Sequence, residues 1–354
     1  MRAKRMAAVL LAGTVLVSSL TGCGMNKNAA AATMKDQEVS LGLANFYCRF
    51  QQASYEDMYK SILGASSEES IWDKDLYGNG TTMEDNVKDS VMEELHAMYT
   101  LKAHMSDYKV ELTDEDNKAI DQAAADFIKD NSREALKEMG ADEEILKEFL
   151  TLYTIKTKMT DAIEAEADTN VSDEDANMRG YSMVTISTTG TTDEDGNQVE
   201  YTDEEKAQLK SKAQKMEEDL KAEDATLESV AEANGYEVKT GTYAKDDSSL
   251  DENVKTALDD LKEGETSSLI ETESAYYFVR IDTDTDKDAT EQNRQSIIDT
   301  RKSDHYNEVL SSWQENDGWK VDDKKVALIS FKNSLTGQDP NASTETESVQ
   351  STQE

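Results

Sequence analysis

The chain has 354 residues, 37 of them basic and 75 acidic, for a formal net charge of −38 at pH 7. So acidic a surface repels nucleic acid and anionic lipid headgroups and excludes both as partners of the bare protein. The length suits about two domains.

The first residues decide the compartment. MRAKR is a basic leader, and MAAVLLAGTVLVSSL is an apolar run too short for an ordinary membrane span. Leu20-Thr21-Gly22-Cys23 follows, in the order of a bacterial lipobox, so Cys23 is the expected lipidation site and residues 1–22 the leader. An ordinary secretory leader with a chance cysteine is the alternative. With Cys23 lipidated, Cys48 is the only remaining thiol and no internal disulfide is possible. Cys48 lies on a helical apolar pattern and is expected as a small buried hydrophobe. Residues 23–35 are expected as a tether.

From residue 36 to about 170 the pattern is helical. VSLGLANFYCRFQQASYEDMYKSIL places Phe46, Phe50, Met58 and Ile62 at helical spacing. Thr82 and Asp85 have N-cap and N3 spacing ahead of Val87, Val91, Leu95 and Met98. Thr113 caps a helix lined by Ile120, Ala124, Phe127 and Ile128. Gly140 closes a short helix, and a long one follows with Ile145, Phe149, Tyr153 and Ile163 on one side. About five helices of this kind bury their stripes against one another.

The character changes at Val171. Ser172 caps a short helix, YSMVTIST alternates as a strand, and Asp195-Gly196 marks a hairpin turn. Helices over DEEKAQLKSKAQKMEEDLKAEDATLESVAEANGY, a strand in YEVKTGTYA and a helix closed by Gly264 come next. Thr266 to Ile270 and Tyr276 to Ile281 then read as two strands joined by ETES. Residues 171–285 make a small α/β domain. After it, 286–332 hold a helix with Ile298, His305, Val309 and Trp313 along one side, and strand-like residues in GWKVDDKKVALISF. This segment is expected to pack back on the N-terminal helices with Trp313 buried, which makes the sheet domain an insertion. Residues 333–354, rich in Ser, Thr, Gln and Glu, read as a disordered tail.

This order, an α+β chain with a mainly helical domain and an inserted small α/β domain, resembles the extracytoplasmic foldases that join a SurA-like helical chaperone domain to a parvulin-type prolyl isomerase domain. The best-known lipid-anchored examples are the PrsA-like foldases of Gram-positive bacteria. The resemblance rests on VELTDEDNKAID, EALKEMGADEEILKEFL, VSDED and LKEGETSSLIETESAYYFVRI. It implies a parvulin pocket, and the residues at its positions are unusual. Met183 and Tyr277 stand where the family carries its two histidines. Lys239 is nearest to the family's Asp or Cys. Leu250, Val254 and Tyr243 stand at the apolar positions that grip proline. His96, His104 and His305 are the chain's three histidines, all outside the sheet domain. The resemblance therefore implies a parvulin fold with a degenerate site. Lowering the roughly 18–20 kcal/mol barrier of peptide rotation requires a pocket that binds the twisted bond better than the planar one.

Other chemistry is poorly supported. DEDGNQVE and DTDTDKD lack the spacing of a calcium loop. His96 and His104 lie two helical turns apart without an acidic residue to complete a metal site. No cofactor or metal is implied. Numerous methionines suit either helix core or a surface for varied apolar partners. The expected function is that of a chaperone, lipid-anchored on the outer face of the cytoplasmic membrane, that holds unfolded secreted polypeptides. An active prolyl isomerase with an atypical site and a partner- or solute-binding lipoprotein are the alternatives.

Overall fold

The computed structural model describes residues 25–63, 70–192, 196 and 198–335. The leader, Cys23 and residues 336–354 lie outside the described residues. The chain divides into two compact units. One comprises the residues up to Ala167 and from Ser303 onward, the other Asp168–Lys302.

The helical unit opens with an antiparallel pair, β1 (Ala30–Met34) and β2 (Gln37–Ser40), and β9 (Lys320–Val321) joins the other edge of β1. The residues expected as a tether are thus part of the fold. Ala31, Ala32 and Met34 are buried, and Ala32 and Thr33 pair with Val321 and Lys320. Five helices follow: α1 (Leu41–Leu63), α2 (Met83–Ala103), α3 (Asp114–Asp130), α4 (Arg133–Met139) and α5 (Glu143–Glu164).

Local chemistry sets their ends. The Thr82 hydroxyl accepts from the Asp85 amide at 3.1 Å, and Thr113 and Asp116 form a reciprocal capping box at the start of α3. Gly140 ends α4 in the left-handed region, with φ of 68°. The apolar stripes then meet in one core. Val87, Val91, Leu95 and Met98 of α2 are all buried, as are Ile120, Ala124 and Phe127 of α3. Phe46 of α1 meets Phe127 edge-on at 6.0 Å and Phe149 of α5 at 5.4 Å. Contacts of this kind contribute about 0.5–1.5 kcal/mol each beyond their buried area. Met58, expected on the apolar stripe of α1, is exposed.

The end of the chain closes this core. Helix α10 (Lys287–Gln314) contains the boundary between the units. Its last turns bring Tyr306, Val309, Leu310 and Trp313 against Leu101, Ile155, Met159 and Ile163. Trp313 is half-buried rather than buried, because it lies flat on the His104 ring at 4.1 Å instead of entering the core. His96 stacks on Trp319 at 4.5 Å and bonds the buried Asp317 carboxylate at 2.6 Å. Only Lys320–Val321 of the expected terminal strand is extended; Asp322 caps the short helix α11 (Asp323–Val326) instead.

The residues after α11 run along a polar stripe of α1. Arg49, itself buried, donates to the carbonyls of Ser330 and Asn333 at 2.8 Å each. The Glu56 carboxylate accepts from Gln52, the Trp72 indole, the Ser334 hydroxyl and the Leu335 amide at 2.7–3.0 Å. Phe331 and Leu335 are buried. Residues 333–335, expected in the disordered tail, are therefore held, because α1 satisfies their backbone while Leu335 fills the core.

In the sheet unit, α6 (Asp173–Ala176) precedes a four-stranded antiparallel sheet in the order β6-β3-β8-β7, with β3 Met178–Ser187, β6 Lys239–Ala244, β7 Ile270–Glu271 and β8 Ala275–Thr283. A small antiparallel pair joins β4 (Thr191–Thr192) to β5 (Gln198–Val199). Asp195 of the expected turn lies outside the described residues. Helices α7 (Asp203–Asp219) and α8 (Leu227–Ala233) bury Ala213, Met216, Leu227 and Val230 with Val184, Ile186 and Phe278. Helix α9 (Glu252–Asp260) buries Val254 and Leu258 with the strand residues of opposite phase. The first of the two expected terminal strands is reduced to Ile270–Glu271. Upstream of it the Ser267 hydroxyl accepts from the Val279 amide at 3.0 Å, so a side chain replaces the ladder carbonyl.

Candidate functional site

Alternation along a strand assigns each residue to a face. Residues opposite one another share a face, and the register pairs Arg179 with Tyr243, Tyr181 with Gly241 and Met183 with Lys239. Across β3 and β8 it pairs Met183 with Val279 and Thr185 with Tyr277. Met183 and Tyr277 are therefore diagonal neighbours on the face that α9 covers, within reach of long and aromatic side chains.

Five of the six residues expected at the pocket meet in one cluster. Tyr243 and Val254 are buried, and Met183, Leu250 and Tyr277 pack half-buried against them together with Leu258, Ile270, Val279 and Ile281. Lys239 does not join them. Its backbone lies opposite Met183, but its side chain is exposed.

The polar groups of this face are engaged in holding α9. Arg179 donates to the Tyr243 hydroxyl at 3.0 Å, to the carbonyls of Leu258 and Leu261 at 2.8 and 2.7 Å, and to Asp284 at 2.7 Å. The Tyr243 hydroxyl donates to Asp259 at 3.2 Å, and burial raises its pKa. Tyr181 lies over Gly241, where an added Cβ would come within 2.8 Å of the ring, and meets Tyr243 at 5.9 Å. Sequence reading missed Arg179 and Tyr181, although the alternation that selects Met183 also selects positions 181 and 179.

The opposite face carries a second polar network. Arg280 forks onto Glu228 of α8 at 2.8 and 2.7 Å and reaches Asp282 at 2.7 Å, while the Ser182 hydroxyl donates to Asp282 at 2.6 Å. The Arg280 hydrogen bonds hold Glu228 well below the usual carboxylate range, at about 2. The acidic run DTDTDKD is likewise divided among separate partners. Asp282 faces Arg280, Asp284 faces Arg179, and Asp286 accepts from the Ala289 amide in the first turn of α10.

Chemically, the α9 face offers a thioether with no proton to donate and one phenol at the two positions of interest. His96, His104 and His305 all belong to the helical unit. Among the described residues, no group of three or more His, Cys, Asp or Glu side chains is placed to hold a metal ion.

Comparison with known proteins bears on this unit directly. Residues 189–292 match the family model of the PPIC-type PPIASE domain. The match contains Lys239, Tyr243, Leu250, Val254 and Tyr277 and begins after β3, which leaves Met183 outside it. No curated protein matches the chain. Among solved structures, the foldase PrsA of Lactococcus lactis is 14% identical, with 85% of this chain and 98% of that one covered and a TM-score of 0.33. PrsA of Bacillus cereus is 19% identical over 73% of this chain and 96% of that one, with a TM-score of 0.30. A structure from work on SurA-like chaperones of Campylobacter jejuni is 12% identical over 83% and 99%, with a TM-score of 0.28.

The helical unit has a concavity of its own. A groove of about 510 Å³ opens between α1, α2 and α5. Its walls carry Tyr47, Phe50, Tyr55, Phe149 and Tyr153, and the ion pair of Glu94 with Lys156 lies at its lining. Burial pushes the Tyr47 phenol up to about 12. Aromatic residues form much of this lining. Of the two placements open to the methionines, Met34, Met83, Met92, Met98, Met139 and Met159 take the core.

Proposed function

We propose that the chain is an extracytoplasmic foldase, anchored through lipid on Cys23, whose helical unit holds unfolded polypeptides while its PPIC-type unit does not catalyse prolyl isomerisation. The observation that carries the reading is the filling of the α9 face. Met183 and Tyr277 pack on an apolar cluster, and residues 168–302 contain no histidine. Stabilising a twisted imide needs groups that gain interaction only in that state. The polar side chains that hold α9, Arg179, Tyr243 and Asp259, are already bonded to one another.

Holding is assigned to the groove between α1, α2 and α5. An extended apolar segment would bury aromatic area there, and the strongly acidic surface favours clients with positive charge. The specificity is broad, because aromatic walls contact apolar side chains without a fixed hydrogen-bond pattern.

Two assays test the reading. The intact protein should leave the isomerisation of an X-Pro test peptide at its uncatalysed rate and should slow the aggregation of an unfolded client. Added salt should weaken the charged share of the second effect. Turnover well above background that disappears in Tyr277→Phe would replace this reading by an active isomerase with an atypical site, to which the PPIC-type match lends weight. No effect in either assay would leave a dedicated partner-binding lipoprotein.

A further inference from the structure

The first described residues are not a leash. Met25 packs against the helical core. The Ala29 carbonyl accepts from the Leu41 amide at 2.7 Å and the Lys27 carbonyl from the Gly42 amide at 2.9 Å, which fixes this segment to the start of α1. The Lys27 ammonium bonds Asp142, the N-cap of α5, at 2.6 Å. Gly24 alone separates Met25 from Cys23. Two Cα–Cα steps span at most about 7.6 Å, less than one Debye length of about 8 Å at physiological salt.

From this continuity we infer that the helical unit docks on the bilayer by a defined face. This rests on the proposed lipidation of Cys23. The face is the concavity of about 530 Å³ around Met25, lined by Lys27, Leu136, Lys137, Ala141 and Leu328. Leu328 is 61% exposed at this face, which suits insertion at the headgroup boundary. The local charge also permits approach, although the chain as a whole is strongly acidic. Asp142 is neutralised by Lys27, with Glu144 nearby, and Glu138 by the buried Arg49. Lys137 adds a positive charge to the rim. A leash this short holds the face at millimolar effective concentration or above, so weak intrinsic affinity is enough to keep it seated.

The test uses the full-length lipidated protein in phosphatidylethanolamine–phosphatidylglycerol vesicles. Cys48 is fully buried, so an environment-sensitive fluorophore can be placed on Leu328→Cys or, as control, on Tyr77→Cys. Tyr77 is 65% exposed in the connection that follows α1 and does not line the concavity. Doxyl-labelled lipid should lower emission about twofold or more at position 328, as expected for insertion by 5–10 Å, and leave position 77 unchanged. Lys137→Glu should reduce the quenching at 328 while the protein stays with the vesicles. Equal quenching at both positions, or none, in a protein shown by mass to carry lipid on Cys23 overturns the docked face and leaves the anchor intact. A Cys23 without lipid overturns the anchor, and the docked face with it.

Discussion

Phe331→Ala should strongly destabilise the helical unit, although Phe331 lies near the end of the described chain and far in sequence from the helices it touches. Its ring is 1% exposed and meets Trp72 edge-on at 4.8 Å. Its amide donates to Glu84 at 3.3 Å and its carbonyl accepts from Gln52 at 3.2 Å, and both bonds survive truncation of the side chain. The loss is therefore the buried ring and the cavity it leaves, about 3–5 kcal/mol. That is a large share of a typical domain stability of about 5–15 kcal/mol. With a urea dependence of about 2–3 kcal/mol per M, the midpoint should fall by roughly 1–2.5 M. The assay is simple because Trp72, Trp313 and Trp319, the chain's three tryptophans, all lie in this unit, so their emission reports its unfolding in the intact protein. Leu328→Ala, at an exposed position three residues upstream, should stay within about 0.5 kcal/mol of the parent. A fall of less than about 0.3 M for Phe331→Ala, with the same denaturant dependence, would refute the claim that the terminal segment is part of this core.

Other expectations follow from single sites. Glu228 has its folded pKa lowered from 4.5 to about 2 by Arg280. Its stabilising share is therefore present above about pH 4.5 and lost as pH falls through 2. Melting of the parent and of Glu228→Gln should differ at neutral pH and converge near pH 2. The Cys48 thiol, pushed up to about 12 by burial, should resist a thiol reagent in the native protein and react at the rate of unfolding. Gly140→Ala should cost about 1–2 kcal/mol in the tryptophan-detected melt. Its φ is 68°, and an added Cβ would meet the Asn45 amide at 2.8 Å.

Much of this was legible before any coordinates, for reasons that are local. The caps at Thr82, Thr113 and Gly140 sit where their own neighbours need a donor, an acceptor or a left-handed residue. Strand alternation alone sets Tyr276 and Tyr277 on opposite faces of β8. What escaped was set by partners distant in sequence. The alanine-rich stretch before residue 35 has little strand preference of its own and is extended because β2 and β9 pair with it. Arg49, Gln52 and Glu56 recur along α1 like any polar stripe, and nothing in their spacing announces that they bind the backbone of residues 330–335. Tyr243 lies on a strand that the sequence marks, yet its tie to Arg179 required the register of β3 against β6.

The pairing of β1 with β9 has a kinetic consequence. A ribosome delivers Ala32 long before Val321, and Arg49 must wait for a carbonyl 284 positions downstream. Closure of such distant contacts comes late in folding. Until then the early helices have Leu101, Ile155 and Trp72 uncovered by their C-terminal partners. Exposed apolar surface of this kind invites aggregation. The sheet unit, continuous in sequence, is free to fold first and leave the ends to meet afterwards. The helical unit would thus pass through a prolonged incomplete state, and the yield of the protein should depend on how promptly its last residues follow its first.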